Sequence, residues 1–340
     1  MLSLVPRPLP AELKAAEPPE LRGIRRDHVR LMVVDRRRRQ LTHTRFDHVG
    51  EYLLAGDLLV VNSSRTLPAA LPATRADGTL VQLRLCVRRP GEWDVLAVEP
   101  ETPFANVELH SGERLRISTT MTAEVLGRRA DISLLWRLAV SCDGLAEIET
   151  VGEPIRYSYL TKKISLDYYQ NVYAGRAGSS EMPSAGRPFS RELMARLRTA
   201  GVKTSEILLH TGLSSFQDDA FDAEHHMYEE WFEVDSQSAA AINSAPRVVA
   251  VGTTVVRAVE SAVDDAGTVH EARDWTNLAV NAETRVRAVD ALITGLHEPT
   301  ASHLDLLRAF VDEPLLIHAY DAAVEHGYLW HEFGDSMLII

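Results

Sequence analysis

The stretch Arg247–Asp265, RVVAVGTTVVRAVESAVDD, decides the fold class of this 340-residue chain. Its first part predicts a buried strand, because a run of valine and alanine follows the arginine. The turn Gly252-Thr253-Thr254 then leads into a helix predicted over Val255–Asp265. A buried strand that passes through a tight turn into a helix is typical of an α/β sheet.

Other parts of the chain repeat this alternation of strand and helix. Apolar runs predict strands at Val29–Val34, Asp57–Asn62 and Val202–His210. Ser190 is a suitable N-cap for a helix with leucines at i and i+4, and Gly201 is a suitable stop. The pattern indicates an α/β domain that is built from both ends of the chain.

Residues 71–153 follow a different pattern. Short segments such as Thr79–Arg88 and Trp93–Val98 are rich in Val, Leu and Ile, and Gly or Pro falls between them. Closely spaced strands without helices are typical of a small antiparallel barrel or sandwich. We therefore expect an all-β insert at 71–153, between two parts of an α/β domain at 1–70 and 154–340.

Charge limits the classes of partner. The net charge of -12 and the isoelectric point near 5.6 argue against a protein that coats nucleic acid by bulk charge. A local basic surface remains compatible with this balance, and Arg36–Arg39 and Lys162-Lys163 are the candidates. The arginine run has two interpretations, a solvated loop or an RNA contact.

Cysteines and apolar runs bear on location. Cys86 and Cys142 are too few for a disulfide framework, and neither belongs to a C-x-x-C motif. This usage is typical of a reducing compartment. The sequence has no signal-peptide pattern and no apolar run of the roughly 18 residues that a membrane helix needs. We expect a cytoplasmic protein that contacts no membrane.

Common cofactor motifs are missing from the sequence. It contains no phosphate-binding G-x-x-x-x-G-K-[ST] loop, no G-x-G-x-x-G fingerprint and no G-x-S-x-G elbow. Two His-Glu pairs begin like a zinc-protease motif but lack its second histidine. The adjacent pair His225-His226 is a weak metal candidate, because neighbouring side chains diverge. We therefore predict no metal site.

Three polar features could carry chemistry. The turn Gly252-Thr253-Thr254 offers backbone N–H groups and two hydroxyls at the carboxyl end of a strand, which suits an anionic or polar ligand or an ordinary helix cap. His210 follows an apolar strand and is either a general base or a structural histidine. Asp290 lies in an apolar segment and is either paired structurally or functional, because an unpaired buried carboxylate is costly. On physical grounds the chain is an α/β enzyme with a polar-ligand site.

Several segments occur in a recognisable order along nearly the whole chain. They are Gly56–Arg65, Tyr169–Ala174, Pro183–Gly186, Leu209–Gly212, Val249–Arg257, Val289–Thr294, His297, Pro299 and Phe333–Ile339. Together they resemble the S-adenosylmethionine:tRNA ribosyltransferase-isomerases of queuosine biosynthesis. The resemblance implies an α/β fold in which a discontinuous α/β domain carries an inserted small antiparallel β-barrel.

The resemblance also implies a reaction. S-adenosylmethionine is the co-substrate, no prosthetic group is used, and tRNA is the partner. The ribosyl group of the donor is transferred to a 7-aminomethyl-7-deazaguanine base at the wobble position and is isomerised to an epoxycyclopentane, which gives epoxyqueuosine. Adenine and methionine leave.

This chemistry needs a base at the carbon next to the sulfonium, an acid for adenine departure and groups that hold the ribose. The proton-transfer candidates are His210, Asp290 and His297. The predicted binding residues are Asn62, Arg65, Gly212, Gly252, Thr253, Thr254 and Arg257. Among these we expect Thr253, Thr254 and Arg257 to contact the methionine carboxylate or the ribose.

The chain departs from the family pattern at the presumed site loops. The family's Gly-Leu-His-Phe is Gly186-Arg187-Pro188-Phe189, and its His-x-Met-His is His225-His226-Met227-Tyr228, so each has lost one histidine. The strands keep their pattern, which favours retention of the donor pocket over the acceptor pocket. Two alternatives stay open: a paralogue that uses S-adenosylmethionine on a small-molecule acceptor, and a non-catalytic protein that binds RNA or a nucleoside.

Overall fold

A mixed sheet and a closed antiparallel barrel form the frame of the molecule in the computed structural model. The structure describes residues 9–101, 104–142, 144–160, 162–222, 227–297 and 303–340. Within these residues the sheet has nine strands and the barrel six. The predicted fold, an α/β sheet combined with a small antiparallel barrel, is confirmed.

Strands and helices are numbered in chain order. From edge to edge, the sheet consists of β15 (Ala272–Thr276), β13 (Glu230–Val234), β12 (Lys203–Leu209), β3 (Leu58–Asn62), β14 (Val248–Val251), β16 (Ala291–Gly295), β17 (Ser336–Ile339), β1 (Arg30–Asp35) and β2 (Gln40–Arg45). The barrel consists of β5 (Ala70–Thr74), β6 (Leu80–Arg89), β7 (Glu92–Val98), β8 (Arg114–Arg116), β9 (Thr122–Arg128) and β10 (Leu135–Val140). A separate parallel pair joins β4 (Ser64–Thr66) to β11 (Arg176–Ser179).

The described helices are short. They are α1 (Leu145–Val151), α2 (Arg191–Thr199), α3 (Asp219–Asp222), α4 (Ser236–Ser244), α5 (Thr253–Ser261), α6 (His303–Leu307) and α7 (Glu313–Glu325). None of the helices in the described part of the chain has the length and apolar character needed to cross a membrane.

Four neighbouring strands at the centre of the sheet, β12, β3, β14 and β16, run parallel. Their apolar runs are buried on both faces, as parallel strands require. In β3, Val60 belongs to the apolar cluster on one face, whereas Leu59 and Val61 belong to the cluster on the other. Because these strands are parallel, their carboxyl ends lie at one edge of the sheet.

The cap predicted for α2 is confirmed. Ser190 Oγ accepts a hydrogen bond from the backbone N–H of Leu193 at 3.0 Å, and Gly201, with φ of +86°, ends the segment in the left-handed region. The helix after β14 begins at Thr253, two residues earlier than predicted, because Gly252 is its N-cap and the chain turns immediately after it. The helix ends at Ser261, four residues before the predicted end at Asp265.

The barrel strands lie between Ala70 and Val140. The sequence pattern found β6 and β7 but did not single out β9, in which several exposed polar residues alternate with buried apolar ones. Strand β10 begins at Leu135, directly after a turn. The domain limits at 71 and 153 stay a prediction.

Candidate active site

The carboxyl ends of the four parallel strands bring several predicted site residues to one edge of the sheet. His210 follows β12, Asn62 ends β3, Gly252 follows β14 and His297 lies shortly after β16. Neighbouring strands are about 4.8 Å apart, so the ends of β12 and β16 are separated by roughly 14 Å. This edge is where open α/β sheets bind ligands.

His210 is held by a chain of hydroxyl groups. Its Nδ1 lies 2.8 Å from Ser64 Oγ, which lies 2.6 Å from Ser179 Oγ. Ser179 Oγ accepts a hydrogen bond of 3.0 Å from the backbone N–H of Thr211. Gly178 packs on the ring so closely that a Cβ atom there would lie 2.3 Å from His210 Cε1. The ring is therefore fixed in position.

This hydrogen-bond pattern assigns the tautomer of His210. Ser179 is fully buried, and among the described residues its hydroxyl has no acceptor other than Ser64 Oγ. Ser179 then donates to Ser64, and Ser64 donates to His210 Nδ1. The neutral ring consequently carries its proton on Nε2, so His210 offers a hydrogen-bond donor from that atom.

Burial keeps this ring neutral. Desolvation, reinforced by the nearby positive charges of Arg176 and Arg88, lowers the pKa of His210 from 6.5 to about 4. At neutral pH the imidazole is uncharged. A neutral imidazole with a fixed N–H can stabilise negative charge that develops on a leaving group.

His210 lines a cavity between the barrel and the sheet. The cavity has about 370 Å³ of space, counting the part open to solvent. Its walls are formed by Cys86, Val87, Arg88, Gly178, Ser180, His210, Glu229, Glu230, Trp231 and Trp275. The two tryptophan rings are 5.6 Å apart at their centroids and meet edge to face. The site combines aromatic surface, two carboxyl groups and the imidazole.

Glu230 connects two of the predicted binding residues. Its Oε1 accepts a hydrogen bond of 2.8 Å from the backbone N–H of Gly212, and its Oε2 is paired with Arg257 Nη1. A side chain at Gly212 would collide with Tyr228, since a Cβ atom would lie 2.3 Å from the hydroxyl oxygen. Gly212 and Arg257 thus set the position of Glu230 at the cavity wall.

Asn62 is buried and its amide is fully hydrogen-bonded. Nδ2 donates to the Leu209 carbonyl at 2.8 Å and to Thr254 Oγ1 at 3.3 Å. Oδ1 accepts from the backbone N–H groups of Leu209 and Ser64, at 3.0 and 3.1 Å. Asn62 therefore joins β3, β12 and α5 directly beside His210 and keeps no polar atom for a ligand.

The turn after β14 keeps donors available. Gly252 has φ of +98°, and its N–H is bonded to the Ile293 carbonyl at 2.8 Å. The first backbone N–H of α5 that bonds back to the Gly252 carbonyl is that of Val255, at 3.1 Å. The N–H groups of Thr253 and Thr254 precede it and have no backbone acceptor in the described chain. They suit an anionic group.

Two predicted site residues lie elsewhere. Asp290 is exposed at the amino end of β16, the opposite edge of the sheet, where its carboxylate accepts a hydrogen bond of 2.8 Å from the backbone N–H of Val248. This position fits the interpretation of Asp290 as structurally paired, and its role in proton transfer stays a prediction. Arg65 forms an ion pair with Glu149 of α1, outside the residues that line the cavity.

His297 remains a candidate at the correct edge. Its Nε2 lies 3.1 Å from Thr294 Oγ1, and it is partly buried. His225 and His226 lie outside the described residues. Among the residues that the structure describes, no three His, Cys, Asp or Glu side chains form a group able to hold a metal ion.

The two candidate basic surfaces lie in different places. Arg36–Arg39 forms the turn between β1 and β2, and Arg36 Nη2 donates to the Asp290 carbonyl at 2.6 Å. This contact places the arginine run at the amino ends of the parallel strands, away from the Gly252 turn. Lys162 and Lys163 are exposed beside Glu17 and Glu153, with which they form ion pairs.

Sequence reasoning missed most of the cavity wall. No motif marks Glu230, Trp231 and Trp275, which come from strands whose partners are distant in sequence. Ser64 could have been predicted from the sequence, because it lies two residues after Asn62 in a segment that resembles the family.

An α/β sheet with an inserted barrel, and a polar cavity at their junction, define an enzyme of the α/β class with a composite site. Residues 7–339 match the family described as queuosine biosynthesis protein. The chain belongs to this family.

Individual relatives extend over nearly the whole chain. The S-adenosylmethionine:tRNA ribosyltransferase-isomerase of Carboxydothermus hydrogenoformans is 36% identical, covering 98% of this chain and 97% of that protein. The enzyme of the same name from Thermus thermophilus is 37% identical, covering 93% of each. A crystal structure of S-adenosylmethionine tRNA ribosyltransferase from Thermotoga maritima is 28% identical, covers 98% of this chain and 99% of that one, and gives a TM-score of 0.54.

Proposed function

We propose that this chain is an S-adenosylmethionine:tRNA ribosyltransferase-isomerase. It transfers the ribosyl group of S-adenosylmethionine to a 7-aminomethyl-7-deazaguanine base of tRNA and isomerises it, with release of adenine and methionine. The observation that carries the proposal is the similarity to enzymes of this name over 98% of the chain. These relatives favour tRNA over the small-molecule acceptor and over a non-catalytic role.

The cavity beside His210 suits the donor. The donor carries an adenine ring and a sulfonium cation, and Trp231 and Trp275 offer an aromatic surface that suits both. The N–H groups of Thr253 and Thr254 lie two strands away from His210, or roughly 10 Å. They suit the carboxylate at the far end of an extended donor.

His210 is placed to assist adenine departure. As the bond between ribose and adenine breaks, negative charge develops on the adenine nitrogen, and the Nε2–H group of His210 can donate to it. The base that removes the proton next to the sulfonium is a different group. His297 is the remaining candidate among the three predicted proton-transfer residues.

The test supplies both substrates. The protein is incubated with S-adenosylmethionine and tRNA bearing the 7-aminomethyl base, and the products are separated. We expect free adenine together with a heavier tRNA nucleoside. Adenine release that requires a small-molecule acceptor, or tight binding of both substrates without turnover, would contradict the proposal. The cytoplasmic location stays a prediction.

A further inference from the structure

A second cavity lies next to the candidate active site, and Ser180 lines both. It has about 320 Å³ of space, counting the part open to solvent. Its walls are formed by Thr66, Pro154, Ile155, Tyr157, Leu160, Tyr169, Ser180, Glu181, Met182 and Glu332. The two glutamates are its acidic groups, and nothing in the donor site described above uses them.

Both carboxyl groups are oriented by tyrosine hydroxyls. Tyr157 donates to Glu181 Oε1, which also accepts a hydrogen bond of 3.1 Å from the backbone N–H of Ser214. Tyr159 donates to Glu332 Oε2. A carboxylate has about four acceptor positions, and these hydrogen bonds occupy only some of them. Each carboxyl group therefore keeps acceptor capacity for a further donor.

These carboxyl groups are desolvated, and neither forms an ion pair within the described part of the chain. Burial raises the pKa of both Glu181 and Glu332 to about 7. The charge of Arg84 lowers the pKa of Glu181, but this guanidinium donates its hydrogen bonds to other groups. A buried carboxyl group kept without a cationic partner costs stability, and such groups cluster at ligand sites.

The remaining walls suit a flat ring. The rings of Tyr157 and Tyr169 supply aromatic surface to the lining. The side chains of Leu160 and Met182 supply apolar surface. Proteins that extract a base from RNA hold it in this way, with ring contacts on its faces and hydrogen bonds on its edge.

Two lysines lie close in the chain to a residue that lines this cavity. Lys162 and Lys163 follow Leu160 closely in the chain, and their side chains are 71% and 67% exposed. Their ion pairs with Glu17 and Glu153 are at the surface, where such pairs contribute little stability and can yield to phosphate. A polyanionic backbone can therefore approach the opening.

We propose that the second cavity is the pocket for the acceptor base, a flat deazaguanine-type heterocycle whose ring N–H donors are bound by Glu181 and Glu332. This inference rests on the proposed function, because it takes the acceptor from that reaction. The shared residue Ser180 then marks the passage through which the aminomethyl group of the base reaches the ribosyl carbon in the first cavity. The hydroxyl of Thr211, next to His210, donates to the Glu181 carbonyl and ties the two cavities together.

The test replaces each carboxyl group with an amide. Glu181→Gln and Glu332→Gln keep the size of the side chain and its bond to tyrosine but remove the negative charge, and Glu325→Gln on the exposed face of α7 is the matched control. We expect each of the first two to raise KM for the modified tRNA by about tenfold or more, while the Kd for S-adenosylmethionine stays within the range of the control and the Tm does not fall below it. Unchanged tRNA kinetics in both variants would overturn the inference.

A second readout separates this inference from the proposed function. The free base, 7-aminomethyl-7-deazaguanine, is titrated calorimetrically into the wild-type protein and both variants. Binding to the wild type that weakens in both variants supports the pocket even if the wild type yields no product, in which case the proposed function alone fails. Failure of the wild type to bind the base, or equal binding by all proteins, overturns the pocket whatever the turnover.

Discussion

At the scale of single residues, the state of His210 is decided by its neighbours. A free histidine titrates close to neutrality, but here burial lowers the pKa to about 4, and the bonds through Ser64 and Ser179 place the proton on Nε2. The sequence alone suggested a general base. The surroundings instead indicate a neutral hydrogen-bond donor.

Replacement of His210 by glutamine is expected to slow adenine release by about a hundredfold or more, because it removes the fixed donor from the leaving group. Ser64→Ala is expected to cost less, about tenfold, because it only frees the ring to change tautomer. Rapid-quench measurement of adenine with saturating S-adenosylmethionine checks both variants. Equal rates in the wild type and His210→Gln would remove His210 from the mechanism.

We expect the carboxyl groups of Glu181 and Glu332 to affect how the free energy of unfolding depends on pH. Burial raises the pKa of each from 4.5 to about 7, so the folded state binds more protons than the unfolded state between these values. The contribution of these two groups to the free energy of unfolding is fully present below about pH 4.5 and is lost as the pH rises through about 7.

The double variant Glu181→Gln/Glu332→Gln is therefore expected to gain stability relative to the wild type as the pH rises. Urea unfolding at several pH values measures this difference, and it isolates these groups from His210, whose lowered pKa acts with the opposite sign in the same range. A difference in unfolding midpoint that stays constant with pH would show that neither carboxyl titrates near neutrality.

At the scale of elements, strand β11 determines how His210 is held. Gly178 leaves space for the imidazole ring, since any Cβ atom there would lie within 2.4 Å of several ring atoms. At Gly175, just before the same strand, an added Cβ atom would have its nearest neighbour, the Ser63 carbonyl oxygen, at 4.0 Å. Replacement of each glycine by alanine therefore compares a crowded position with an open one.

Gly178→Ala is expected to displace the His210 ring and reduce kcat for adenine release by about tenfold or more, whereas Gly175→Ala leaves it nearly unchanged. Steady-state kinetics with circular dichroism as a control for folding makes the comparison. Similar kcat values in the two variants would mean that the ring position does not limit the reaction.

Elements defined by local patterns were predictable from the sequence. The apolar runs of β3, β12 and β14 and the Ser190 cap of α2 depend on residues that are close in the chain. The position of Asp290 at the amino end of β16 could not be predicted, because an apolar run does not show which end of a strand meets the ligand. Pairing of β4 with β11 depends on residues more than a hundred positions apart and left no local signal.

At the scale of the whole molecule, the net charge of -12 hides an uneven distribution. The arginine run Arg36–Arg39 lies at the amino ends of the parallel strands, where Arg39 pairs with Asp312 and Arg38 with Asp35. Lys162 and Lys163 lie close in the chain to Leu160, which lines the second cavity. The acidic balance is therefore compatible with tRNA if contact is made at the lysine side.

Charge reversal distinguishes the two surfaces. Lys162→Glu/Lys163→Glu is expected to raise KM for tRNA by about tenfold at low salt and to reduce its dependence on salt, because phosphate contacts are lost. Arg37→Glu/Arg38→Glu is expected to change KM by less than about twofold. Measurement of KM at two salt concentrations decides between the two surfaces. A larger effect of the arginine variant than of the lysine variant would indicate that the RNA binds at the opposite edge of the sheet.

The most direct test of the account is the yield of the two products from one reaction. Wild-type protein is incubated with S-adenosylmethionine and tRNA bearing the 7-aminomethyl base, and free adenine and the modified nucleoside are quantified by mass spectrometry. The account predicts that both appear in equal amounts and that His210→Gln slows both together. Unmodified tRNA without adenine release, from folded protein that binds both substrates, would contradict it.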